Sequence, residues 1–360
     1  MNTKYMYSLL SVIVLSLISY FLVEAASGFK VLFGVIIPYL ALIVFVAGFI
    51  NRMMAWTRSP VPFCIPTTCG QQKSLPWIEP NRIDNPFSKR AVVVRMLLEI
   101  VFFRSLFRNT RLKLKSGPKI AYNLEIFLWV GALAFHWAFL TVLLRHLRFF
   151  IEPVPMLVQA LENVDAFFRV EILYDVAHFG LPGVYLSGIV LLAAVTYLFL
   201  RRVFIPNVRY ISLAADFFPL FLIFGIVFTG ILMRYVTKID VIATKELTMG
   251  LVTFHPTIPE GISSIFYVHL FFVSILLMYF PFSKLMHLGG VFLSPTRNLT
   301  ADTRASRHVN PWNYPVHVHT YEEYEDEFRE KMVEAGIPVE KMPESQGENK
   351  TGSEEEAAKE

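Results

Sequence analysis

Four histidines in apolar surroundings are the residues of this sequence best placed to do chemistry. Phe135-His136-Trp137 is followed by His146 ten positions later, and Phe280-Pro-Phe-Ser-Lys-Leu-Met-His287 closes a segment that carries His269 at its other end. A histidine inside a membrane segment is costly and is usually kept for a ligand or a hydrogen-bond partner. Eighteen residues make five helical turns, so His269 and His287 are expected on one face of one helix, about 27 Å apart along its axis. His136 and His146 are about 15 Å apart along theirs, and offset around it. Two antiparallel helices of this kind can supply two pairs of axial imidazoles for two b-type haems, His136 with His287 and His146 with His269, the unequal rise being taken up by tilt. A bis-imidazole iron has no open position, which suits electron transfer. For any single histidine, a hydrogen bond across helices accounts for it equally well. Four in two pairs shift that balance.

Other candidates carry less. No Cys-x-x-Cys-His occurs, which excludes a covalently attached haem. Cys64 and Cys69 stand together in one loop and read as reduced, structural thiols. His308, His317 and His319 cluster loosely in the tail, a surface or docking feature more than a metal site. Arg145 and Arg148 flank His146 and Lys284 precedes His287, so Arg145 is a candidate partner for a haem propionate.

The elements that must position these residues are membrane helices. Of 360 residues 54% are hydrophobic and only 17% charged, with 33 phenylalanines, too apolar a balance for a soluble domain of this size. The apolar runs divide into six spans at about 5–23, 29–50, 121–143, 183–203, 211–235 and 263–285. The first follows a short, signal-like start and is read as a span, not as a cleaved peptide. The expected fold is therefore an all-α integral membrane bundle of about six transmembrane helices. Its parts are two N-terminal helices (1–50), a basic cytoplasmic loop (51–120), a dihaem four-helix core (121–290) and a cytoplasmic tail (291–360). The excess of Lys and Arg in 51–120, against Glu152, Glu162, Asp165, Glu171 and Asp175 in 144–182, places both termini in the cytoplasm. Ala91–Phe107, broken by Arg95, Glu99 and Arg104, is expected to lie on the membrane surface as a helix. Thr320-Tyr-Glu-Glu323 is a capping box that starts an acidic helix running to about Ala335. Beyond Lys341 the chain is too polar to pack.

At the histidine motifs the sequence resembles the gamma subunit of respiratory nitrate reductase, a membrane cytochrome b, over about residues 29–290. The extra first span, the stretch Ile65-Pro-Thr-Thr-Cys69-Gly-Gln-Gln-Lys-Ser-Leu-Pro-Trp77 and Arg104-Ser-Leu-Phe-Arg-Asn-Thr110 are most similar to the M-subunit family of the sulfite-reduction-associated Dsr membrane complex. The resemblance implies two haems b held by the four histidines, and oxidation of quinol, menaquinol in particular, near the outer haem. It also implies a partner, a cytoplasmic iron-sulfur subunit resembling heterodisulfide reductase and docked on the basic loop and acidic tail. His178, beside Asp175 in the outer loop, is then a candidate to take a proton from quinol, and His255 a weaker one. The quinone-site residues have no clean counterpart. Two readings from other classes compete: a proton-coupled transporter with an intramembrane histidine relay, and a membrane anchor whose histidines only pack. Both expect a colourless protein.

Overall fold

In a computed structural model of the chain, residues 4–59, 61, 64–65, 70–117, 119–167, 184–306 and 318–341 are described. The first span is α1 (Lys4–Ala25), and the second is α2 (Ser27–Thr57), which includes a π turn at Leu32–Ile36. After the loop come α3 (Lys89–Phe102) and a hairpin of β1 (Thr110–Lys115) with β2 (Lys119–Leu124). The remaining spans are α4 (Ile126–Phe149), α6 (Leu186–Phe204), α7 (Ala214–Val236) and α9 (Ser264–Phe282); α5 (Met156–Phe167) and α8 (Val241–Val252) lie in the connections. The six spans are long and apolar enough to cross a bilayer. Helices satisfy their own backbone groups, which lipid requires.

Helix association in lipid rests on close packing more than on the hydrophobic effect. Here α1 packs on α7 and α9, α2 on α9, and α4 on α6. Gly131 lets α4 close on the Tyr197 ring, since a Cβ there would meet that ring at 2.4 Å. At one end of the bundle Val23, Phe33, Leu247, Phe266 and Tyr267 form a buried cluster. Further along the same helices Val12, Leu222, Val268 and Phe272 form another. Among the described residues α4 and α9 are not closely packed against each other; the rings that meet across them are those of histidine.

Four expectations from sequence are corrected. The third span does not begin at 121. Thr110-Arg-Leu-Lys-Leu-Lys115 and Lys119-Ile-Ala-Tyr-Asn-Leu124 alternate polar and apolar residues with period two and pair antiparallel, so α4 starts at Ile126. The chain keeps the expected fold, an α-helical membrane bundle of six spans, with one short hairpin in its basic loop. His269 and His287 do not share a helix. Pro281 has no N–H and its ring cannot sit against the Leu277 carbonyl, so the α-helix stops at Tyr279. A 3-10 turn follows, Ser283 is extended, and its Oγ accepts from Leu285 N (3.2 Å) to begin another 3-10 turn, after which His287 opens a short helix, His287–Gly290. Gly48 allows α2 to approach this break, where a Cβ would lie 2.7 Å from Pro281 Cβ. The expected surface helix 91–107 is broken at Phe103, which is left-handed (φ 50°), and resumes as a single turn at Arg104–Phe107. Finally, the outer loop expected after the third span is not all loop, since α5 lies in it.

The polar face of α3 points inward. Asp84, itself buried, accepts from Arg104 (3.1 and 3.3 Å), pairs with Arg108, and receives Arg95 on its backbone carbonyl. Glu99 accepts from Ser105 N (2.9 Å) and Oγ (2.7 Å) and pairs with Arg297 (3.0 Å). The opposite face leaves Val93, Val94, Leu97 and Phe102 exposed.

The C-terminal unit, considered by itself, is α10 (Tyr321–Glu334) with the expected capping box: Thr320 Oγ1 accepts from Glu323 N (3.2 Å) and Glu323 Oε2 from Thr320 N (2.9 Å). Gly336 (φ 70°) turns the chain back, and the buried Glu325 carboxylate accepts from Glu340 N and Lys341 N, both at 2.7 Å. Those two N–H donors hold its carboxyl below the usual carboxylate range.

Candidate functional site

The four histidines come together in two pairs. His136 on α4 faces His287 with ring centres 5.8 Å apart and planes at 80°. One helical stretch away, His146 faces His269 on α9 with centres 6.4 Å apart and planes at 15°. The break at Pro281 frees His287 from the rise of a straight helix, so the unequal spacing does not keep it from His136.

The hydrogen bonds fix which imidazole nitrogen is available. His136 Nδ1 lies 2.7 Å from Ala132 O, His146 Nδ1 2.6 Å from Val142 O, and His287 Nδ1 2.8 Å from Lys284 O. A carbonyl only accepts, so in each case Nδ1 carries the proton and Nε2 keeps its lone pair. His269 Nδ1 lies 2.9 Å from Thr229 Oγ1, whose own proton goes to Gly225 O (2.7 Å). His269 therefore donates as well. All four rings are set in the tautomer of a metal-ligating histidine, with the second nitrogen held by an outer partner.

This donor set fits a bis-imidazole metal. An iron bound at about 2 Å by each of two facing Nε2 atoms sets ring centres roughly 6 Å apart, as in both pairs here. Clusters of three or more His, Cys, Asp or Glu suited to a bare ion do not occur among the described residues.

Surrounding groups hold the pairs in place. Phe103, in its left-handed conformation, sets its ring edge-on to His136 at 4.9 Å. Trp129 Nε1 donates to Phe102 O (2.6 Å) and Trp137 Nε1 to Val101 O (3.1 Å), which fastens the end of α3 to α4 beside the first pair. Beyond the second pair, Thr248 Oγ1 on α8 donates to Phe149 O (2.7 Å), closing the end of α4. Arg145 directs Nη1 to Asp165, which also accepts from Ser187 N (3.0 Å) and Oγ (2.5 Å), so its charge is matched.

Sequence reasoning missed Thr229 and Phe103. A hydroxyl inside an apolar span was a usable signal for Thr229; Phe103 gave none, since its role depends on a backbone conformation that phenylalanine rarely adopts. Of the weaker candidates, His255 Nδ1 bonds the neighbouring Thr253 O (2.8 Å) on the surface. Burial pushes the Cys64 thiol up, away from thiolate chemistry. His178, Cys69, His308 and His317 lie outside the described residues, as does the chain beyond Lys341.

Comparison with known proteins is consistent with this geometry. The family model described as nitrate reductase gamma subunit matches residues 100–307. The Hdr-like menaquinol oxidoreductase cytochrome b-like subunit of Archaeoglobus fulgidus is 47% identical over 290 residues, 79% of this chain and 84% of the relative. Its counterpart from Archaeoglobus profundus is 40% identical over 284 residues, 77% of this chain and 81% of the relative.

Proposed function

Since the chain belongs to the nitrate reductase gamma subunit family, we propose that it is the membrane cytochrome b of a menaquinol oxidoreductase, exchanging electrons between menaquinol and a cytoplasmic iron-sulfur subunit. The observation that carries this is the double pairing: two facing histidine couples at 5.8 and 6.4 Å, with all four Nδ1 atoms already committed as donors. His136 and His287 would hold one haem b on the cytoplasmic side, and His146 and His269 a second toward the outside. Bound between two imidazoles, haem supplies one-electron chemistry with no vacant coordination position.

The chain's own work is to fix tautomer, spacing and surroundings. Phe103 covers the inner pair where electrons would leave toward the partner. Thr229 sets the basicity of His269. The basic segment 51–120 and the acidic helix α10 are the surfaces offered to an iron-sulfur protein resembling heterodisulfide reductase, with both termini in the cytoplasm. The likeness of the 65–77 and 104–110 stretches to the Dsr M-subunit family supports a place in dissimilatory sulfur or sulfite metabolism. His178 is kept as the candidate proton acceptor from menaquinol, and the inner membrane of a prokaryote as the location.

The test is a dithionite-reduced minus oxidised spectrum with pyridine haemochrome quantitation on wild type, His136→Ala and His269→Ala. Two b haems per chain, with one lost in each variant, are expected. A colourless wild type after expression with ample haem overturns the reading and brings forward a transporter or an anchor.

A further inference from the structure

Arg234 lies in the π turn Leu232–Val236 that ends α7, a local form often found where a side chain is aimed at a ligand. Its guanidinium lies over the Tyr185 ring at 4.2 Å, and that of Arg145 over the same ring at 4.1 Å. Two unit charges no more than about 8 Å apart repel, and the carboxylate of Asp165 answers only one of them. Among the described residues no carboxylate is paired with Arg234, and the ring it shares with Arg145, the residue before His146, places it at the outer pair. Stacking on a ring occupies the face of a guanidinium and leaves its in-plane N–H fork free, the fork that matches a carboxylate. Next to it, Tyr235 Oη accepts from Tyr185 N (3.1 Å), which leaves its own proton for another acceptor.

We propose that Arg234, with the Tyr235 hydroxyl beside it, holds a carboxylate at the outer histidine pair, namely a propionate of the haem that His146 and His269 would ligate. This rests on the haem reading above, and it gives Arg234 the role that the sequence suggested for Arg145. The fixed cation favours the reduced, less positive iron, so the outer couple sits higher than it would without it.

Redox titration of Arg234→Gln, with haem content measured and the outer couple assigned by its disappearance in His269→Ala, tests the proposal. The reduction equilibrium of the outer couple is expected to fall about tenfold, about 59 mV for a one-electron couple, with the inner couple unchanged. The propionate-bending band in resonance Raman should shift with it. If Arg234→Gln does not load haem, Arg234→Lys, which keeps the charge but not the planar fork, carries the test through the Raman band. Full haem content with both couples and the band at wild-type values overturns the proposal and assigns Arg234 to a carboxylate of the chain itself. A wild type without haem instead overturns the cytochrome reading on which the proposal stands.

Discussion

Replacing Thr229 by valine keeps the shape of the side chain and removes the oxygen that lies 2.9 Å from His269 Nδ1. The N–H is then left without an acceptor in an apolar interior, at a cost of about 1–3 kcal/mol. Losing such an outer partner weakens metal binding about 10–100-fold. The direction of the electronic effect is also set. An imidazole that donates from Nδ1 is the more basic ligand and favours the oxidised iron, so without the acceptor the outer couple should rise, by on the order of 60 mV for a tenfold change. This is opposite in sign to the shift expected from Arg234→Gln. The inner couple is an internal control, because His136 and His287 donate to the carbonyls of Ala132 and Lys284, which the substitution does not touch. Potentiometric titration of both couples, with Thr229→Ser as the variant that keeps the hydroxyl, reads the effect directly. Equal movement of both couples, or no movement at full haem content, would refute the reasoning.

Asp84→Asn leaves three guanidiniums without their shared carboxylate in a largely buried setting, and loss of one partner from such a group costs about 3–5 kcal/mol. Faster trypsin cleavage within residues 84–108 is expected, and a wild-type digestion pattern would count against the cluster as the clasp of this segment. Pro281→Ala restores a backbone donor at the break near the end of α9, so the helix is expected to run on and withdraw His287 from His136. Haem content should drop from two to about one with the outer couple kept; two haems would show that Ser283 and Gly48 impose the break unaided. Glu325, held below its usual range, contributes stability to the C-terminal unit that is fully present above its unfolded value of about 4.3 and is lost as pH falls through the lower folded value. Hydrogen exchange at the amides of Glu340 and Lys341 should therefore quicken in acid, and Glu325→Gln should flatten that dependence.

The spans were legible because lipid admits long apolar helices, and composition alone locates their ends to within about seven residues. The histidine partners were legible for a related reason: the third and sixth spans must run antiparallel, which orders the pairs. The path between His269 and His287 was not, because a uniform helical rise was carried across a proline. The hairpin was hidden by reading Tyr122 and Leu124 as the start of an apolar run, when with Ile120 they alternate with the smaller or polar Lys119, Ala121 and Asn123 as in a strand. Arg95, Arg104 and Arg108 counted as topology charges in sequence and turn out to surround one aspartate. That grouping depends on the left-handed Phe103, and the neighbouring Glu99 pairs with Arg297, nearly two hundred residues away; neither is revealed by a local pattern.

Three of the four imidazoles donate to main-chain carbonyls, those of Ala132, Val142 and Lys284. A carbonyl is carried by every residue, so no single replacement at those positions deletes the acceptor. The orientation of these rings is written into helix geometry and is shielded from drift in the sequence. His269 alone leans on a side chain, and a codon change at position 229 can remove its support. Variation among relatives, or in the laboratory, thus has one direct handle on the orientation of the four rings, and it acts on the pair of His146 and His269 only.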